Sequence, residues 1–278
     1  MYDTIREVKK VIRRIGVFDS GIGGLTVLRQ LHTTFPGLDM VYLGDTARVP
    51  YGGRSVDTIN RYAEDDVRFL LRKKVDAIVI ACGTVSSNSL EHLRSRFDLP
   101  IYGVIESAAQ RAAALTKSGT VGIIGTQATV KSGAYERCIH AEHPDIRVIS
   151  QACPLFVPLV ENGIEPMDPV AEMICDRYMA TFDGTGMDAL IMGCTHYPVY
   201  RPALEKRLPG VAMIDVGEAL SEALRPRFGD ASGRGEVTYY VTEHSAAFGE
   251  IVRIMDASVD PTAIHVEKDF LERGDGRD

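Results

Sequence analysis

The amino-acid sequence predicts an α/β fold of two similar domains. Each has a parallel-sheet core, the two are related by pseudo-two-fold symmetry, and an active site lies at their interface. Three observations carry this reading. Short β-rich apolar runs recur with helical stretches between them, two of those runs align without gaps and both end in cysteine, and glycine-rich polar turns follow several of them.

The runs come in order. "RIGVFDS" (14–20) and "MVYLGD" (40–45) open the chain, and an amphipathic helix over 57–73 separates them from "AIVIACG" (77–83) and "IYGVIE" (101–106). "TVGIIGT" (120–126), "RVISQAC" (147–153), "ALIMGCT" (189–195) and "VAMIDV" (211–216) follow. Their continuous hydrophobicity is that of strands covered on both faces, as in parallel sheets flanked by helices. After residue 217 a helix, the strand-like "EVTYYVT" (236–242) and "PTAIHVEKDF" complete the chain, and this tail is expected to return to the first half.

"DAIVIAC" (76–82) and "DALIMGC" (188–194) align at an offset of 112. "IGVFDS" (15–20) matches "VGIIGT" (121–126) at 106, and "RVPYGG" (48–53) matches "FVPLVE" (156–161) at 108. Three pairs in one order at nearly constant offset indicate a duplicated α/β unit. The division predicted is 1–103 plus 217–278 for the first domain and 104–216 for the second. Cys82 and Cys194 then stand at the carboxyl ends of equivalent strands, the edge where open parallel sheets bind ligands.

A length of 278 residues accommodates two ordinary domains. The formal charge of -7, with no massed basic residues, gives no footprint for nucleic acid. "MYDTIREVKKVIRR" lacks a secretory apolar core, and no apolar run is long enough to span a bilayer, so the reading is a soluble cytoplasmic protein with no membrane partner. Five cysteines, Cys82, Cys138, Cys153, Cys175 and Cys194, make an odd count with no CxxC pair, against a disulfide framework or zinc finger.

A single cysteine at a strand end is often buried filler, and Cys138, Cys153 and Cys175 are read that way. The mirrored pair is different. Cys-x-His at Cys194 and His196 falls outside the usual zinc spacings, and a nucleophile would not need a second mirrored thiol. Two thiols on opposite faces of one carbon suit a two-base inversion of a stereocentre, because a thiol near its ordinary pKa of about 8.5 can serve as thiolate or as thiol. Asp19, Glu161 and His196, at strand ends or loops of the repeat, are the candidate tuners.

"DSGIGGLTVL" (19–28) lacks the third glycine of a dinucleotide fingerprint and the Gly-Lys-Ser/Thr of a Walker A loop. It fits a carboxylate or phosphate cradle at a helix N-terminus, with Ser20 as donor and Asp19 facing an ammonium or Cys82; a tight structural turn is the alternative. "GDTARVPYGGRS" (44–55) belongs at the same rim, where Tyr51 and Gly52 can offer a hydroxyl and a backbone donor.

"DSGIGGLTVL", "GDTARVPYG", "GVIE", "IGTQATVKSGAY", "CPLFVPLVENG" and "GCTHYP", in this order, closely resemble bacterial glutamate racemases of the aspartate/glutamate racemase superfamily over roughly residues 14 to 260. The resemblance implies a cofactor-independent isomerase that interconverts L- and D-glutamate and supplies D-glutamate for peptidoglycan. No pyridoxal phosphate or metal is implied, and a homodimer is. It further implies Cys82 and Cys194 as proton donor/acceptors, with Asp19, Glu161 and His196 as assisting acid/base or orienting groups, Asp19 near Cys82 and His196 near Cys194. Substrate contacts would fall on Ser20, Tyr51, Gly52, Thr84, Thr126, Thr195 and the residue at 83.

That residue departs from the pattern: Cys-Gly-Thr-Val stands at 82–85 where the family has Cys-Asn-Thr-Ala. Loss of one hydrogen bond to a charged group weakens binding by about 1.5–3 kcal/mol, so Gly83 leaves room for another acidic amino acid as substrate. "GVIESA" also replaces the family's "GVIEPG"-like turn. A non-catalytic ligand-binding member of the fold is a further alternative, and a dinucleotide-dependent enzyme a more distant one.

Overall fold

The computed structural model describes residues 12–229, 231, 233–267 and 270. Residues 1–11 and 271–278, which the sequence places with the first domain, lie outside the described residues. In chain order the elements are β1 (Arg14–Asp19), α1 (Leu25–Thr34), β2 (Asp39–Gly44), α2 (Val56–Arg72), β3 (Ala77–Ile80), α3 (Gly83–Arg96), β4 (Ile101–Gly103) and α4 (Ile105–Leu115). There follow β5 (Thr120–Gly125), α5 (Gln127–Ser132), α6 (Ala134–Glu142), β6 (Arg147–Ala152), α7 (Phe156–Glu161), α8 (Pro169–Met179), β7 (Ala189–Met192), α9 (Arg201–Arg207) and β8 (Ala212–Asp215). The chain ends with α10 (Val216–Phe228), β9 (Val237–Val241), α11 (Phe248–Met255) and the short β10 (His265–Val266).

Every run read as a strand is one. A six-stranded sheet has the order β10-β9-β2-β1-β3-β4 and a four-stranded sheet the order β6-β5-β7-β8, with parallel pairing throughout. Overlaying β2-β1-β3-β4 on β6-β5-β7-β8 gives the duplication directly, with β1 matching β5 and β3 matching β7. The tail returns to the first sheet, since β9 pairs with β2 and β10 with β9.

One aligned pair does not keep its structure. Residues 48–53 form a loop, whereas 156–161 coincide with helix α7. The shared Val-Pro sits in an irregular stretch in one half and inside a helical turn in the other. The departure at "GVIESA" causes no break: β4 runs directly into α4, whose first residue is Ile105.

Sheet faces separate the cores by the two-residue period of a strand. On β1, Ile15 and Val17 join a large cluster that continues through α1, α4 and α10 into the second sheet, while Phe18 joins a smaller one with α2 and α3. Helix α10 packs on both α1 and α4, tying the two sheets together. Among the described residues, no helix is long and apolar enough to cross a membrane.

Candidate active site

The carboxyl ends of both sheets meet at a cavity of about 210 Å³. Ser20, Tyr51, Gly52, Cys82, Gly83 and Thr84 line it from the first sheet's side, and Thr126, Cys194, Thr195 and His196 from the second. Asp19 and Glu161 stand behind this lining. Val49, Pro50, Pro154, Val157, Pro158 and Tyr197, which the sequence reading passed over, form much of the apolar wall.

Each thiol is placed by local backbone. Cys82 follows β3 with extended backbone and is the N-cap residue of α3, whose first-turn Val85 amide faces its sulfur. Its Sγ lies 3.5 Å from Ser20 Oγ. Cys194 follows β7, and its Sγ lies 4.0 Å from His196 Nδ1. Both are nearly buried, at 5% and 6% exposure, so their charges are poorly screened by water.

Behind Cys194 runs a chain of polar contacts. His196 Nε2 is 2.8 Å from Glu161 Oε1, and Thr195 Oγ1 donates to Asp19 Oδ1 at 3.4 Å. The Gly21 amide donates to Asp19 Oδ2 at 3.2 Å. Asp19 therefore reaches across from β1 to the loop of the second half, and it also faces Cys82.

These contacts set the charge states. Burial, followed by the Asp19 carboxylate, pushes the Cys82 thiol up to about 12, against the pull of Ser20 and the Val85 amide. Burial also raises Asp19, partly offset by His196 and the amides of Gly24 and Gly21. For His196 burial works to lower the pKa, but hydrogen bonds and charge at Cys194 and Glu161 outweigh it and push the ring up to about 10. At neutral pH the imidazole is a cation held between a sulfur and a carboxylate.

The hydroxyl rim is equally connected. Thr84 Oγ1 and Thr126 Oγ1 are 2.9 Å apart across the cleft, and Thr126 caps α5 through the Thr129 amide at 3.2 Å. The Gly52 carbonyl accepts from the Ala128 amide at 3.1 Å. From the glycine-rich stretch only Ser20 lines the cavity. A side chain at Gly23 would meet His196 Nδ1 at 2.4 Å, so this glycine serves close packing of the two loops rather than an open anion cradle.

The loop carrying Tyr51 and Gly52 is held by a buried charge cluster that sequence reading missed. Arg48 reaches three carboxylates: Asp45 through Nε at 2.5 Å, Asp65 through Nη1 at 2.8 Å and Asp66 through Nη2 at 3.4 Å. The Tyr51 hydroxyl donates to Asp45 and Asp66, so it points into this cluster. Thr242, just past β9, donates to Asp45 at 3.0 Å and ties the tail to the loop. Burial pushes Asp66 well above the carboxylate range, with Asp45 adding to the effect. Cys153 and Cys175 are buried, and burial raises both thiols. Among the described residues, no three histidine, cysteine or acidic side chains group as a metal site.

A two-sheet α/β frame with mirrored thiols at one cleft defines a class, and comparison with known proteins agrees. The Asp/Glu/Hydantoin racemase family model matches residues 15–224. A glutamate racemase from Persephonella marina is 42% identical over 254 residues, covering 91% of this chain and 96% of that protein. The crystal structure of glutamate racemase from Thermus thermophilus in complex with beta-chloro-D-alanine superposes with a TM-score of 0.80 at 41% identity, covering 93% of this chain and 98% of that one. That of Francisella tularensis, in complex with D-glutamate, gives 0.84 at 33% identity over 92% of this chain and 97% of that one. The chain belongs to the Asp/Glu/Hydantoin racemase family, within its glutamate racemase branch. It is an enzyme, an amino-acid racemase of the isomerase class.

Proposed function

We propose that this enzyme interconverts L- and D-glutamate by 1,1-proton transfer between two cysteines, without an organic cofactor or metal. The observation that supports the reading is that Cys82 and Cys194 line one cavity, each just past the end of a strand from a different sheet, β3 and β7. In this reading the domains divide as 1–103 plus 217–278 and 104–216, and the reaction takes place between them.

Proton inventory follows from the site. Cys82, held as a thiol by burial and Asp19, is the donor for L-glutamate. Cys194 is the base that takes the α-proton of L-glutamate, and the His196 cation, backed by Glu161, stands where negative charge rests on its sulfur. The C–H bond breaks toward the Cys194 sulfur, and a new C–H bond forms from the Cys82 sulfur on the opposite face. In the D-to-L direction the roles exchange. In this reading the amide-bearing N-terminus of α3 and the Thr84 and Thr126 hydroxyls receive the substrate carboxylates, and Ser20, with the Asp19 carboxylate behind it, receives the ammonium.

The product fits supply of D-glutamate for peptidoglycan in the cytoplasm, and a homodimer is the proposed assembly. A second substrate reading, another acidic amino acid, is motivated by Gly83 in the lining. A chiral assay on L-glutamate and L-aspartate tests both. Conversion of glutamate that is lost in both Cys82→Ala and Cys194→Ala supports the proposal, and conversion surviving in either variant overturns the two-thiol mechanism. Preference for aspartate would replace the substrate.

A further inference from the structure

Polar side chains in the cavity wall are almost all engaged with the protein. Tyr51 donates to Asp45 and Asp66, Tyr197 to the Cys153 carbonyl at 2.9 Å and Thr195 to Asp19, while the His196 ring meets Glu161. Ser20 lies beside the Cys82 sulfur, and Thr84 and Thr126 bond each other. Gln127 differs: it lines the same cavity, yet among the described residues its carboxamide has no hydrogen-bond partner.

Its position decides which part of a substrate it meets. The reacting carbon must lie between Cys82 and Cys194, which are nearly buried, whereas Gln127, the first residue of α5, is exposed. It directly follows Thr126, whose hydroxyl reaches Thr84 across the cleft at 2.9 Å. Gln127 therefore stands near the mouth, where the end of a substrate farthest from its α-carbon arrives. Among the described residues no lysine or arginine lines the cavity, so a carboxylate there has to be met by neutral donors. The carboxamide nitrogen carries two N–H donors, and a bond from either to a carboxylate is charge-assisted.

We propose that Gln127 is a specificity-determining residue whose carboxamide nitrogen donates to the side-chain carboxylate of glutamate at the mouth of the cavity. The inference rests on the racemase reading above and adds to it what separates glutamate from a shorter acidic amino acid. Aspartate, with its α-carbon held between the same two sulfurs, is one methylene shorter and stops short of Gln127. Because the distal carboxylate takes no part in bond making, the contact is equal in the ground state and the transition state, and its loss falls in KM. One hydrogen bond to a charged group corresponds to on the order of tenfold in binding.

The experiment compares wild type, Gln127→Ala and Gln127→Glu on L- and D-glutamate and on L-aspartate, with circular dichroism and thermal melting to follow the fold. An exposed side chain without a protein partner is removed with little effect on stability. Expected for Gln127→Ala is a rise in glutamate KM of on the order of tenfold in both directions, with kcat within about threefold of wild type and any turnover of aspartate unchanged. Gln127→Glu sets a carboxylate against the substrate's own and raises KM further. A Gln127→Ala enzyme whose glutamate KM stays within about twofold of wild type, or one that loses kcat on both substrates alike, overturns the proposal while leaving the racemase reading intact. So does a wild-type enzyme that prefers aspartate, or a Gln127→Ala chain that fails to fold. A wild-type protein inactive on every acidic amino acid overturns the racemase reading itself and this proposal with it.

Discussion

Replacing Glu161 by Gln probes the charge state of the site most sharply, because it keeps the shape of the side chain and removes one of the two partners that hold His196 charged. The ring is 3% exposed, and its pKa is pushed from 6.5 up to about 10. Each pKa unit corresponds to about 1.4 kcal/mol, so the net preference for the charged ring, after the opposing cost of burial is overcome by Cys194 and Glu161, is on the order of 5 kcal/mol. A hydrogen bond to a charged group, such as the 2.8 Å contact from His196 Nε2 to Glu161, accounts for about 1.5–3 kcal/mol of this. In a chain of this size that is a loss of roughly 3–10 °C in Tm.

Its pH dependence has a definite sign. A histidine whose folded pKa is raised stabilises fully below its unfolded value of 6.5, and the stabilisation disappears as pH rises through about 10. The gap in Tm between wild type and Glu161→Gln is therefore widest near pH 6 and closes toward pH 10. Differential scanning calorimetry across that range, with NMR titration of the His196 ring, measures it. A gap that is absent at pH 6, or that does not narrow with rising pH, refutes the claim that a His196 cation is paired with Glu161.

Two further outcomes follow from the same chemistry. Arg48→Met leaves Asp45, Asp65 and Asp66 together without their cation, so urea denaturation is expected to show a loss of about 3–5 kcal/mol, and the loosened Tyr51–Gly52 loop to raise KM; Arg48→Lys restores part of both. Tyr135→Phe removes a buried hydroxyl that has no hydrogen-bond partner, so thermal melting is expected to move by less than about 1 kcal/mol equivalent in either direction.

The fold was readable from sequence because its central strands β1, β3, β5 and β7 are buried on both faces and so appear as unbroken apolar runs, and because the duplication left "DAIVIAC" and "DALIMGC" in register. The same duplication brought Cys82 and Cys194 forward as a pair. What sequence could not supply are contacts between distant segments. Arg48, Asp66 and Thr242 meet only because β9 adds to β2 beside α2, and no periodicity in the chain records that meeting. Gly23 read as part of a cradle or turn and Gly83 as a lost substrate contact, yet both lie against backbone or side chains from the other half. The glycine-rich stretch likewise looked like an anion cradle, whereas folding packs it against Thr195 and His196. The match of 48–53 to 156–161 shows the converse limit, since a shared Val-Pro is too short to fix a backbone conformation.

Two opposed thiols make the central claim, and the fate of the α-hydrogen in a single turnover tests it most directly. Wild-type enzyme is incubated with protiated L-glutamate in deuterium oxide and sampled early by NMR and chiral chromatography. Because one sulfur removes the proton and the other delivers a solvent-derived one, D-glutamate formed first should carry deuterium at the α-carbon while the remaining L-glutamate stays protiated. D-glutamate that retains the substrate's own α-hydrogen, or L-glutamate that exchanges as fast as product forms, would contradict a mechanism in which Cys82 and Cys194 act on opposite faces.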